Sequence, residues 1–142
     1  MRAVSISLKI PDNTAYTALV ALRRLGVDVE RVERSEIHFF EDEGNPEPLR
    51  SRIEADEAIF NPNKHRIHLL DEPVPGAGEV WIESDSPPNA SVVAWRLVAA
   101  NGKPAEPDVL DAAIERLLCN PAIERAVTRH RIGDRDNPRA SE

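Results

Sequence analysis

The sequence predicts an α+β fold in which antiparallel sheets are backed by helices on one face. Three observations predict it. Stretches with strand-like alternation are interleaved with three helical segments. A pattern of proline, helix, Asn-Pro stop and strand occurs twice, its Asn-Pro pairs 59 residues apart at Asn61 and Asn120. A Pro- and Gly-rich stretch, residues 73–78, divides the chain near its middle.

In chain order, Val4, Ile6, Leu8 and Ile10 alternate, so residues 3–10 read as a half-buried strand. Asp12 or Asn13 can cap the helix that follows over residues 14–25, whose stripe is Ala15, Ala18, Leu19, Leu22 and Leu25. Gly26 stands at its C-terminal cap position, and Arg23-Arg24 suit the negative end of the helix dipole. Residues 27–41 are β-rich and read as one long strand or as a hairpin broken near Ser35. Then comes the first copy of the repeated pattern, residues 47–70: Pro48, a helix, Asn61-Pro62 and a strand. A residue before proline is pushed out of the helical region, so each Asn-Pro pair stops its helix.

After the linker, residues 79–83 and 91–100 read as strands around the turn Ser86-Pro87-Pro88-Asn89. Val109, Leu110, Ala113, Ile114, Leu117 and Leu118 form the stripe of the last helix, which Pro107 opens and Asn120-Pro121 ends. Residues 126–132 read as the closing strand, and residues 133–142 as a disordered tail. The first half is thus β-α-β-(β)-α-β, a ferredoxin-like pattern, and the second a shortened β-β-α-β. The expected organisation is two ferredoxin-like (βαββαβ-type) units, 1–72 and 79–132, joined by the linker 73–78. Open sheets leave edges that invite self-association.

Composition narrows the function. A net charge of −7 argues against nucleic acid, which needs clustered Lys and Arg. With no apolar run near the ~20 residues that span a bilayer, and no signal-peptide pattern, the expectation is a cytoplasmic protein without a membrane partner. The single cysteine, Cys119, excludes an internal disulfide and sits at the apolar end of a helix, as a small hydrophobe would.

No motif assigns a catalytic residue. His65 and His68 lie three apart, which puts them on opposite faces of a strand; with His38 on a neighbouring strand they are a weak metal motif and read better as surface histidines. The acidic groups Glu54, Asp56, Glu57 and Glu41, Asp42, Glu43 lie in polar stretches and read as solvated faces. No phosphate loop or nucleophile elbow is present, and neither a cofactor nor a metal is expected. Trp81 and Trp95, each on a strand, are candidates for a contact surface or for core packing. Asn61, Pro62, Asn120 and Pro121 are either helix stops or part of such a surface.

Two segments carry a family likeness. Residues 114–132, IERLLCNPAIERAVTRHRI, resemble the C-terminal helix and strand of the small (PurS) subunit of formylglycinamidine ribonucleotide synthase, through Leu117, Leu118, Asn120, Pro121, Ile123 and Glu124. Residues 18–40 are similar to that family's first helix, Leu-Gly turn and Val-rich hairpin, through Arg24, Leu25, Gly26, Val29 and Val32. The family is usually one βαββαβ unit of about half this length, and its Gly-Lys after the second strand is Ser35-Glu36 here. The resemblance is therefore to a diverged tandem member. It implies a non-catalytic adaptor that self-associates and bridges the synthetase and glutaminase subunits of the purine complex, with Glu124 joining the Asn-Pro and Trp positions as an interaction candidate. The alternative is a small-ligand-binding regulatory module of the ACT-like kind, which needs a polar pocket between paired units.

Overall fold

The computed structural model describes residues 1–41, 44–84 and 92–131. Along the chain run β1 (Arg2–Leu8), α1 (Asn13–Arg24), β2 (Arg31–Phe40), α2 (Pro46–Glu54), β3 (His65–Leu69), β4 (Glu79–Ser84), β5 (Val92–Val98), α3 (Pro107–Ala113) and β6 (Glu124–Thr128). The strands form one six-stranded antiparallel sheet in the order β3-β1-β2-β5-β4-β6. The α+β class with antiparallel pairing is therefore as the alternation predicts.

Local chemistry explains the helix limits. The Asp12 side chain accepts the Ala15 N–H at the start of α1, and Asn45 caps α2 by accepting from Glu47 N–H. At the end of α1 the chain reverses through Gly26 at φ +83°, a conformation that costs glycine nothing. Prolines open α2 and α3.

Four expectations are corrected, and of the two readings of residues 27–41 the single strand holds. Residues 31–40 form one unbroken strand through Ser35, because Ser35 pairs with Ser7 on one side and Ala94 on the other. The helix that follows Asn45 ends at Glu54, well short of Asn61-Pro62, so that pair does not stop it but shapes the turn into β3. The last helix is α only to Ala113; residues Ile114–Leu118 make a π-helical turn, closed by Cys119 N–H donating to the Ile114 carbonyl. The closing strand starts at Glu124 and ends at Thr128, with residues 129–131 helical, because the Thr128 side chain accepts the Arg131 N–H and turns the chain off the edge. The first strand stops at Leu8 rather than Ile10. The turn at residues 86–89 and the tail at residues 133–142 lie outside the described residues.

The repeat has a structural counterpart. β1 lies between β3 and β2, and β4 lies between β6 and β5, so each half contributes the same triplet, joined where β2 meets β5. β3 and β6 sit at the two edges of the sheet. Their entry turns are built alike. The Asn61 carbonyl accepts the N–H of Lys64 and His65, and the Asn120 carbonyl that of Ile123 and Glu124. The Asn61 side chain accepts from Asn63 N–H, and that of Asn120 from Ala122 N–H. His65 Nδ1 accepts the Asn61 N–H, and Glu124 Oε1 the Asn120 N–H.

Apolar residues collect in three clusters. On the helix-covered side, α1, α3 and the π-turn bury Leu22, Leu110, Ile114 and Leu118 over Val32, Val80, Ile82 and Leu97. On the same side, α2 buries Leu49 and Ile53 over Val4 and Ile6. The opposite side carries Ala3, Ile37, Trp81, Ala94 and Val127. Residues 70–78 carry the chain from β3 to β4, past β1, β2 and β5. This linker is pinned at its far end, where Leu97 N–H donates to the Gly78 carbonyl and Glu79 accepts Gly76 N–H.

Candidate functional site

β2 is the strand that builds the site. Its positions 32, 34, 36, 38 and 40 share the helix-covered side, in phase with the core residues Val4 and Ile6 of β1. Val32 and Phe40 pack into the two apolar clusters there, but Arg34, Glu36 and His38 lie between them. A polar strip therefore separates the two helix-covered cores. Placing charge at core-phase positions of a central strand costs stability unless each group finds a partner.

Several do not. Arg34 Nε and His38 Nε2 are buried and have no hydrogen-bond partner among the described residues; His38 Nε2 stands 3.6 Å from Glu36. The Arg34 guanidinium lies over the Trp95 ring, 5.9 Å from its centroid, a cation–π contact that fixes the side chain.

β1 pairs with β2 only as far as Ser7 opposite Ser35, and Leu8 ends the strand. Beyond that point the β2 residues 31–34 keep β5 as neighbour on one side and face a notch on the other. Three adjoining hollows meet there, and Ser7 and Arg34 line all of them. The largest, about 400 Å³, runs under the start of α1 between Asp12, Tyr16, Arg31, Arg34 and Arg66. A small one of about 90 Å³ reaches inward to Glu36 and His65. The third, about 210 Å³, opens on the helix-free side and joins the halves: Ser5, Ser35 and His68 come from the first, Glu79 and Arg96 from the second. It exists because Ser5, Ser7, Ser35 and Ala94 are small neighbours on adjacent strands, while the cross-strand row Glu33–Arg96–Glu79 forms a charged wall.

Three of the carboxylates that line the notch already have partners. Asp12 is committed to capping α1, Glu33 to Arg31 at 3.1 Å, and Glu79 to Gly76. His65 accepts through Nδ1, so its neutral form carries the proton on Nε2. Glu36, in the small hollow, has only His38 at 3.6 Å and stays an open acceptor beside the donors of Arg34, Arg66 and His65.

The residues singled out in the sequence fall elsewhere or play other parts. Asn61, Pro62, Asn120, Pro121 and Glu124 build the two entry turns, and the bonds above account for both asparagines. Trp81 is 2 % exposed, edge-on to Phe39, and is a core residue of the helix-free side. Trp95 is half-buried; it supports Arg34 and floors an apolar groove between α1 and the π-turn with Ala18, Ala21 and Leu117. Of the histidines, His65 and His68 point to opposite sides of β3, as their spacing predicts. Cys119 packs against the largest cluster, and burial pushes its thiol pKa up, with Glu124 adding to the effect. Sequence reasoning missed Arg34. The signal was the interruption of the Val32–Phe40 core phase by three titratable residues.

A second polar network closes the other edge. Asp111 Oδ1 takes hydrogen bonds from His130 Nε2 at 2.8 Å and Arg131 Nε at 3.1 Å, and His130 Nδ1 meets the Thr128 hydroxyl at 3.1 Å. Thr128 is fully buried, so this chain of bonds latches the end of β6 to α3 rather than presenting a nucleophile. No described helix is long and apolar enough to cross a membrane. Compared with known protein families, with curated proteins and with solved structures, the chain matches none.

Proposed function

We propose that this chain is a non-catalytic accessory subunit, similar to the small (PurS) subunit of formylglycinamidine ribonucleotide synthase, in which two family units are fused. The observation that carries the proposal is the strand order, two like triplets meeting at β2 and β5. Each triplet keeps three strands of a ferredoxin-like unit in their order, and the place of its missing fourth strand is taken by the other half. A fused pair of this kind stands in for the dimer that separate small subunits would form. In this reading the chain self-associates further through the β3 and β6 edges and bridges a synthetase and a glutaminase subunit in the cytoplasm. Its apolar contact surface is the groove beside Trp95 and Leu117, the latter 40 % exposed. The test is a pull-down from native cell extract with tagged full-length protein. Recovery of the synthetase and glutaminase subunits is the expected result; their absence, with the bait soluble and abundant, removes the proposal.

One observation favours a second reading, a regulatory module that binds a small ligand. The hollow on the helix-free side takes residues from both halves and is polar, which an adaptor does not need and an effector site does. Ligand screening by thermal shift tests it, with stabilisation lost on Arg96→Ala.

A further inference from the structure

The notch at the end of β1 has a preferred ligand chemistry. Three of its carboxylates are engaged, by the α1 cap, by Arg31 and by the linker, and Glu36 lies apart in the small inner hollow, whereas Arg34 Nε is buried without a partner. A buried donor left unsatisfied costs about 1–3 kcal/mol, more when charged, so a site that keeps one gains most from a ligand that accepts. The guanidinium is held by Trp95 and lines the larger hollow, and a guanidinium's planar fork matches two oxygens of one group. Arg66 stands exposed on the rim of the larger hollow, which Arg34 also lines, while His65 lines the adjoining small hollow with Glu36.

We propose that this notch binds the oxyanion group of a small ligand, a carboxylate or a phosphate, between Arg34 and Arg66. The inference rests on the ligand-binding reading above and gives it a chemical class. At about 400 Å³ the hollow has room for a metabolite rather than a bare ion, the remainder of the molecule lying against Tyr16 and Leu19. Arg34 is the orienting residue. Its fork is what lysine cannot reproduce.

The test is a titration of the full-length ¹⁵N-labelled protein with inorganic phosphate and, separately, malonate, at constant ionic strength against chloride, following the Arg34 Nε–H resonance and the Ser7, Ser35 and His65 amides. The expected result is a saturable shift with one of the two anions and none with chloride; the anion that saturates tells phosphate from carboxylate. Arg34→Lys should weaken binding by about tenfold or more, the value of a charged hydrogen bond. Because Arg34 packs on Trp95, Arg66→Gln provides a rim variant: affinity should fall severalfold while the melting temperature stays unchanged. Arg24→Gln, at the far end of α1, should alter nothing. Equal shifts with chloride, shifts away from the notch, or full affinity in both Arg34→Lys and Arg66→Gln overturn the proposal. If a neutral sugar shifts Ser7 and His68 while both anions do not, the anionic class is wrong and the ligand-binding reading stands. If nothing binds in the notch, both fall, and the adaptor reading is untouched.

Discussion

Replacing Leu97 by alanine tests whether the halves fold as one body. Leu97 lies on β5 opposite Val32 of β2, at the junction of the two triplets, and is fully buried. Its neighbours in the largest cluster come from both halves: Leu22, Val27, Val29 and Val32 from the first, Val80, Leu110, Ile114 and Leu118 from the second. The substitution removes three carbons, worth about 0.8 kcal/mol each, and leaves a cavity between strand and helices, for a total of about 3–4 kcal/mol. Domains of ordinary size hold only about 5–15 kcal/mol, so the loss is a large fraction of the whole. At the ~2–4 °C per kcal/mol of chains somewhat longer than this one, the melting temperature drops by roughly 10 °C.

The discriminating assay is native-state hydrogen exchange, read strand by strand. If the sheet opens as one cooperative unit, protection of the β1 and β3 amides falls by the same free energy as that of β4 and β6. Should β1 and β3 keep full protection while β4 and β6 lose theirs, the halves are energetically separate and the shared-core reasoning is refuted. Leu117→Ala, at an exposed position, serves as the control and should change stability by no more than about 0.5 kcal/mol.

Other outcomes follow from single contacts. Gly78 has φ +75°, and a Cβ there would stand 2.7 Å from the Pro104 Cβ, so Gly78→Ala should cost about 1–3 kcal/mol in denaturant unfolding, whereas Gly102→Ala, at φ +80° in open space, costs only the backbone strain. Asn61→Ala and Asn120→Ala each remove an equivalent side-chain bond from an entry turn; each should lower stability by about 0.5–1.5 kcal/mol, and similar melting shifts in the pair would confirm the matched construction. The pKa of Asp111 is raised by burial but lowered more by the hydrogen bonds and charges of His130 and Arg131, so the net shift is below the usual 3.8. A depressed carboxylate contributes stability above its unfolded pKa and loses it as pH falls through the folded value, so Asp111→Asn should narrow the stability difference between pH 6 and pH 3 in thermal melts. An unchanged difference would mean that the latch to β6 is not formed in solution.

The elements were legible where local chemistry alone decides them. The α1 stripe, its Asp12 cap and its Gly26 exit could be read because each depends on neighbours within a turn. The repeat was legible because an Asn-Pro turn needs a short polar side chain at one fixed place, and the chain supplies it twice. Two things were hidden. Which strands meet is a long-range choice that alternation does not encode, so the β2–β5 junction, and with it one sheet in place of separate ones, could not be read from either half. The notch depends on where β1 stops relative to β2, a register property. Arg34 stands out only once Val32 and Phe40 fix its phase against the core.

The helix that lacks a counterpart explains why the halves cannot be equivalent. In the second half β4 leads to β5 with no α-helix described between them, whereas in the first half α1 separates β1 from β2. Yet α1 does not cover the first half alone. Its buried stripe joins Val80, Ile82 and Leu97 of the second half and packs beside the π-turn, where Arg116 Nη1 donates to the Leu25 carbonyl at 2.9 Å. The outer part of the first half is covered instead by α2, over its own small cluster. One helix thus serves the junction, and a second copy of it would compete for the same strands. With α1 drawn toward β5 and α2 held over β1 and β3, the strip of β2 between them is left without an apolar cover. That strip is where Arg34, Glu36 and His38 stand, so the asymmetry that joins the halves into one core also opens the polar notch.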